Sequence, residues 1–127
     1  MYDVTATGEL LIDFTRNGLS EQNNRIYEAN PGGAPCNVLA MLRKLGYKTA
    51  FIGKVGNDEF GKLLKNTISE QKIDATGLVM NSDAKTTLAF VGNDETGDWS
   101  FSFYRKTGAD MIRKYFCIIS EKMNMKC

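Results

Sequence analysis

The tightest constraint on this chain of 127 residues is the run Pro31-Gly-Gly-Ala-Pro-Cys-Asn-Val, continuing through Leu45-Gly46 to Phe51-Ile-Gly-Lys-Val-Gly-Asn-Asp-Glu-Phe-Gly61. Gly32 and Gly33 have no Cβ, so the backbone there can take positive φ and approach a ligand closely. Pro35 suits a first helical position, where its missing N–H costs nothing. Val38, Met41, Leu42 and Leu45 recur at helical spacing, and Gly46 is placed to end the helix in the left-handed conformation. A strand over 48–53 and a second glycine turn opening another helix follow. The first helix thus presents its N-terminal amides beside the Gly-Gly turn, an end that favours hydroxyl, carboxylate or phosphate oxygens. Asn37, in its first turn, carries both an amide donor and a carbonyl acceptor. Taken alone, a Gly-Gly turn is equally an ordinary strand-to-helix connection.

Composition narrows the partners. With 16 basic and 15 acidic residues the net charge is +1, and no cluster of Lys and Arg stands out. Nucleic acid and an anionic membrane surface are therefore not expected as partners. The first thirty residues lack a basic start and an unbroken apolar run, so no signal peptide is expected, and no later stretch is long enough to span a membrane. Cys36, Cys117 and Cys127 make an odd count, which does not describe a disulfide framework. A reducing cytoplasm is the expected setting. Histidine is absent, so Ser-His-Asp and Cys-His nucleophile pairs are excluded, and no zinc-type ligand spacing occurs. Without a base to activate it, Cys36 reads as a small buried side chain.

Tyr2 to Phe14 reads as a first strand. Its run Leu10-Leu-Ile suits a strand covered on both faces in a parallel sheet. Asp13 stands near its end, where open α/β sheets bind ligands; by position alone it is equally a solvated strand-end acid. The polar segment Arg16 to Ala29 reads as an exposed edge strand or a lid strand. Asp58 is placed to cap a helix running to about Gln71, with Phe60, Leu63, Leu64, Thr67 and Ile68 inward. Leu78-Val79-Met80 is a short strand. The alternation of strands and helices argues for a three-layer α/β sandwich. A hairpin follows, with strands Thr86–Val91 and Trp99–Arg105 around a turn at Asn93–Asp98. Alternation puts Trp99, Phe101 and Phe103 on an apolar face and Ser100, Ser102 and Tyr104 on a wetter one. By itself this is an ordinary edge hairpin, and Arg105 beside it a surface residue.

Together, Gly-Gly-Ala-Pro-Cys-Asn-Val, Leu-Gly and Phe-Ile-Gly-Lys-Val-Gly-Asn-Asp-Glu-Phe-Gly resemble the N-terminal signature of the ribokinase/PfkB family of carbohydrate kinases, with wording nearest to fructokinases. Gly-Glu-Leu-Leu-Ile-Asp-Phe resembles the family's first strand, and Tyr104-Arg105 with Gly108-Ala-Asp-Met111 the segment returning from its lid. The resemblance implies a ribokinase-like sandwich, here its N-terminal half over 1–111, with a small β-sheet lid built from strands near 16–30 and 86–105. It implies transfer of the ATP γ-phosphoryl group to a sugar hydroxyl, with Mg²⁺. It further implies that Asp13 accepts from sugar hydroxyls, that Gly32 and Gly33 let backbone amides reach them, that Asn37 bonds another hydroxyl, and that Arg105 closes from the lid. The lid of such kinases often forms a dimer contact, so a homodimer is expected. Thr107 departs from the Pro that many relatives carry, which loosens that loop.

After Met111 the resemblance ends, and 112–127 carries no motif that can be placed. The family's second half, with its Gly-Ala-Gly-Asp-type helix start, catalytic Asp and nucleotide pocket, has no counterpart here, nor does any P-loop. No catalytic residue and no metal ligand is therefore assigned. The expectation is a truncated or frame-shifted kinase, inactive alone, that keeps the sugar-gripping side. The alternatives are a non-catalytic sugar-binding or dimerising module, and a fragment of a kinase for ribose, a nucleoside or a keto-sugar acid.

Overall fold

Gly8 divides the N-terminal apolar run. In the computed structural model, which describes residues 1–93, 99–105 and 108–111, the single strand expected over Tyr2–Phe14 is two strands in two different sheets. These are β1 (Val4–Thr7) and β2 (Leu11–Leu19). The break has a local cause. The Gly8 N–H donates to the Ile52 carbonyl at 3.3 Å, the Pro35 ring packs where a Gly8 Cβ would stand, and pairing then restarts with Leu11 opposite Gly32. The tail 112–127, most of the Asn93–Asp98 turn and Thr107 lie outside the described residues.

The first sheet is parallel, in the order β1-β4-β5, with β4 at Thr49–Gly56 and β5 at Asp74–Asn81. Its crossovers are α1 (Ala34–Lys44) and α2 (Glu59–Glu70). On one face of β4, Phe51 and Val55 join Cys36 and Leu39 of α1 and Leu64 and Ile68 of α2 in one apolar cluster. Ala50, Ile52 and Lys54 point to the other face and are also buried. A strand buried on both faces is the middle layer of a sandwich.

Helix α1 begins with Pro35 in its first turn and ends at Leu45, followed by Gly46 at φ 94°. Its buried side is not the stripe the periodicity picked out. Cys36 and Leu39 are buried with Ala40 partly so, whereas Val38, Met41 and Leu45 are exposed. The Gly33–Pro35 entry sets the helix rotation, and the helix carries apolar residues on more than one side. Asp58 caps α2 as expected, accepting from the Gly61 N–H at 2.8 Å.

The second sheet runs β3-β2-β6-β7, with β3 at Arg25–Gly32, β6 at Leu88–Asn93 and β7 at Trp99–Tyr104. Pairs β2–β3 and β6–β7 are antiparallel and β2–β6 is parallel. The polar strand before Gly32 and the aromatic hairpin thus lie in one sheet, joined through β2. One side of it rests on α2. Phe14 stacks on Phe90 at 4.9 Å and meets Phe60 edge-on at 5.5 Å, and Phe90 touches Tyr27 and Tyr104. The alternation along β7 holds, with Tyr104 turned toward Phe90, but both faces of the strand are exposed: Tyr104 is 66% exposed, and Trp99, Phe101 and Phe103 are 71%, 59% and 54% exposed.

Candidate functional site

The site is built where the end of β3 crosses the start of β2. A Cβ at Gly32 would overlap the Asp13 carboxylate, and one at Gly33 would overlap the Glu9 carbonyl. Gly33 also holds φ 126°, a conformation side chains rarely adopt. The two glycines therefore bring bare backbone against an acid, directly before α1. No side chain caps the start of α1 and no acid lies in its first turn, so capping groups leave its N-terminal amides open.

Arg105, just past β7, reaches the same place from the other side. Its guanidinium pairs with Glu9, lies 3.4 Å from Asp110, and stands over the Phe103 ring at 5.1 Å. The turn that follows is anchored to the core. The Gly108 N–H donates to the Arg105 carbonyl and the Ala109 N–H to the Lys85 carbonyl, each at 2.9 Å. Thr87 donates its hydroxyl to Asp110. Across the sheet, Asn30, Asp13, Ala89 and Phe103 form one register row, so Asp13 and Phe103 share a face. Burial raises the Asp13 carboxyl above its ordinary value, and the charge of Glu9 raises it further.

Of the residues singled out in the sequence, the structure brings Asp13, Gly32, Gly33 and Arg105 together around Glu9. Asn37 is tied to the turn through its backbone, donating to the Gly33 carbonyl at 3.2 Å, with its side chain exposed. Sequence reasoning did not single out Glu9 or Asp110. Both stand inside motifs it quoted, Gly8-Glu9 and Gly108-Ala-Asp110, but a lone acid shows its partner only after folding. Burial pushes the Cys36 thiol up to about 12, so it stays protonated at neutral pH.

Chemically, the site offers carboxylate acceptors, one guanidinium donor and open backbone N–H groups. Polyol hydroxyls, each a donor and an acceptor, match that mixture. A triphosphate does not, because Arg105 is shared by two acids and leaves no excess positive charge. Among the described residues no group of three or more His, Cys, Asp or Glu side chains forms a metal set.

Residues 1–123 match the family described as pfkB family carbohydrate kinase. Over 113 residues the chain is 42% identical to probable fructokinase-5 of Arabidopsis thaliana, covering 87% of this chain and 35% of that one. It is 42% identical to fructokinase-2 of Zea mays over 111 residues, 86% of this chain and 33% of that one. Among solved structures, fructokinase from Xylella fastidiosa superposes with a TM-score of 0.81 at 39% identity, over 86% of this chain and 34% of that one. The same enzyme with bound ATP gives 0.78 at 39% identity, over 86% and 32%. The chain spans about a third of the length of the relatives it matches. Its ribokinase-like α/β fold is that of these fructokinases, and the chain belongs to the pfkB family of carbohydrate kinases.

Proposed function

We propose that this chain carries the sugar-binding side of a fructokinase-type carbohydrate kinase. The carrying observation is the Asp13 carboxylate seated against the bare Gly32 backbone, beside a helix start without a capping side chain. In this reading Asp13 accepts from sugar hydroxyls and the Gly32–Gly33 turn admits the sugar to the amides that open α1. Asn37 bonds a further hydroxyl, and Arg105, held by Glu9 and Asp110, closes from the lid sheet. The intact family's reaction moves the ATP γ-phosphoryl group to a sugar hydroxyl with Mg²⁺. Neither the nucleotide nor the metal fits the residues gathered here, so no step is derived through them and no catalytic residue is assigned.

Titration calorimetry of the 127-residue chain with fructose tests the proposal. A charged hydrogen bond contributes about 1.5–3 kcal/mol, so Asp13→Asn is expected to weaken binding roughly ten- to 150-fold. No fructose binding by the parent chain, or equal binding by the variant, overturns it.

A second reading rests on a different observation. The aromatic row Trp99, Phe101 and Phe103 is exposed on β7, which ends the sheet among the described residues. Exposed aromatics on an unpaired edge favour association, and a homodimer through the lid sheet is the reading they support.

A further inference from the structure

At the opposite end of the parallel strands from Glu9, where β4 and β5 begin and α1 and α2 end, lies a cleft of about 380 Å³. Arg43, Lys48, Lys72, Thr49, Ser69 and Asp74 line it. Three cations and one carboxylate line it, and a second carboxylate, Asp3, stands at its edge, accepting from the Lys48 N–H at 2.7 Å. The lining carboxylate is engaged. Asp74 accepts from the Thr76 N–H at 2.8 Å and from the Tyr2 hydroxyl. The negative ends of the two helices are also covered. The N–H groups of Leu45, Gly46 and Tyr47 cap carbonyls of α1, and those of Gln71, Lys72 and Ile73 cap carbonyls of α2.

Two polar atoms of the lining have no partner among the described residues: Thr49 Oγ1, on a residue 2% exposed, and Arg43 Nε. The Arg43 Nη1 donates to the Tyr47 carbonyl at 2.9 Å, which accounts for the residue's place at the helix end but not for its idle Nε. A buried polar atom left unpaired costs about 1–3 kcal/mol. Lys72 adds a second cost, because it holds φ 60°, a left-handed conformation that a glycine would take more cheaply.

We propose that this cleft binds a small multivalent oxyanion of the phosphate or phosphate-ester class. Arg43, Lys48 and Lys72 balance its charge, and Arg43 Nε and the Thr49 and Ser69 hydroxyls donate to its oxygens. The site is separate from the sugar site and does not depend on that reading.

The test is a titration of the isotope-labelled full chain, followed by amide NMR, with inorganic phosphate and with sodium chloride at equal ionic strength. Phosphate is expected to shift Thr49, Ser69 and Lys72 saturably, and chloride is not. Lys72→Gly relieves the positive φ, and Thr49→Val keeps the β-branched shape, so both variants are expected to fold. Each is expected to weaken phosphate binding about tenfold or more. A hexose phosphate, added to Asp13→Ala so that the sugar site does not contribute, separates the sources. Tighter binding than phosphate assigns an ester, and equal or weaker binding assigns the free ion. Equal shifts from phosphate and chloride, or unchanged phosphate affinity in both variants, overturn the proposal.

Discussion

Arg105 and Glu9 stand 96 positions apart in sequence, yet their side chains form an ion pair. The pair ties the end of β7 to the segment between β1 and β2, and Asp110 supports it from the core. The two acids differ in setting. The Glu9 side chain is 40% exposed and that of Asp110 is 3% exposed. A screened pair contributes up to about 1 kcal/mol, whereas a buried acid stripped of its cation is costly. Glu9→Gln is therefore expected to lower stability by less than about 1 kcal/mol, and Arg105→Ala by about 1–3 kcal/mol. Urea unfolding measures both, and the reverse order would show that Asp110 does not depend on Arg105.

Asp13 is expected to trade stability for binding. Burial, and then Glu9, raise its carboxyl above the ordinary value. For an acid raised in the folded state, the stability contribution is complete below the unfolded value near 3.9. It is lost as pH climbs through the folded value. Asp13→Asn removes that loss, so at neutral pH the variant should resist denaturant at least as well as the parent while binding fructose more weakly. A variant that loses stability as well would make Asp13 a structural residue. Glu9→Gln is expected to move the acid limb of fructose binding to lower pH, since it removes one of the two causes of the shift.

The local chemistry of the site was legible before folding, and its long-range pairing was not. Gly32, Gly33 and Pro35 announce a turn and a helix start, because glycine and proline restrict or free the backbone whatever surrounds them. Asp58 announces its cap for the same reason. The alternation along Trp99–Tyr104 shows two faces, but that Tyr104 turns toward Phe90 while both faces stay exposed depends on how β6 docks on β2, where Phe14 stacks on Phe90. Val38, Met41 and Leu45 repeat at helical spacing as convincingly as Cys36 and Leu39. The rotation of α1 is decided by its entry turn, so periodicity alone points to the wrong side. The split at Gly8 was hidden by an apolar run that reads as continuous. Glu9 and Asp110 acquire meaning only when Arg105 arrives from the far end of the described chain.

Asp58 couples helix start to strand. It accepts from the Gly61 N–H at 2.8 Å, the Thr86 hydroxyl at 2.6 Å and the Thr86 N–H at 2.8 Å, while the Thr86 hydroxyl accepts from the Gly56 N–H at 3.0 Å. Burial pulls the Asp58 carboxyl up, but the Thr86 and Gly61 bonds and the charge of Lys85 outweigh it and leave it below the ordinary value. A depressed acid contributes stability above its unfolded value near 3.9 and loses it as pH falls through the folded value. Asp58→Ala is expected to cost about 1–2 kcal/mol at pH 7, with the difference shrinking in acid. Denaturant unfolding at neutral and acidic pH checks both statements; a difference that holds constant into strong acid would mean the charge plays no part.

Trp99 would make the proposed association through β7 directly readable, because it is the chain's single tryptophan and is 71% exposed. If the aromatic row of β7 pairs with a second copy, the indole leaves water as concentration rises. Its emission should then shift to the blue over the same range in which sedimentation shows a dimer forming. Phe101→Lys places a charge in the middle of that row, a device edge strands use against pairing. It is expected to abolish both changes while leaving the far-ultraviolet circular dichroism as it was, since Phe101 is 59% exposed and contributes little to the core. Dimer formation that survives Phe101→Lys, with emission unmoved by concentration, would place the contact away from β7.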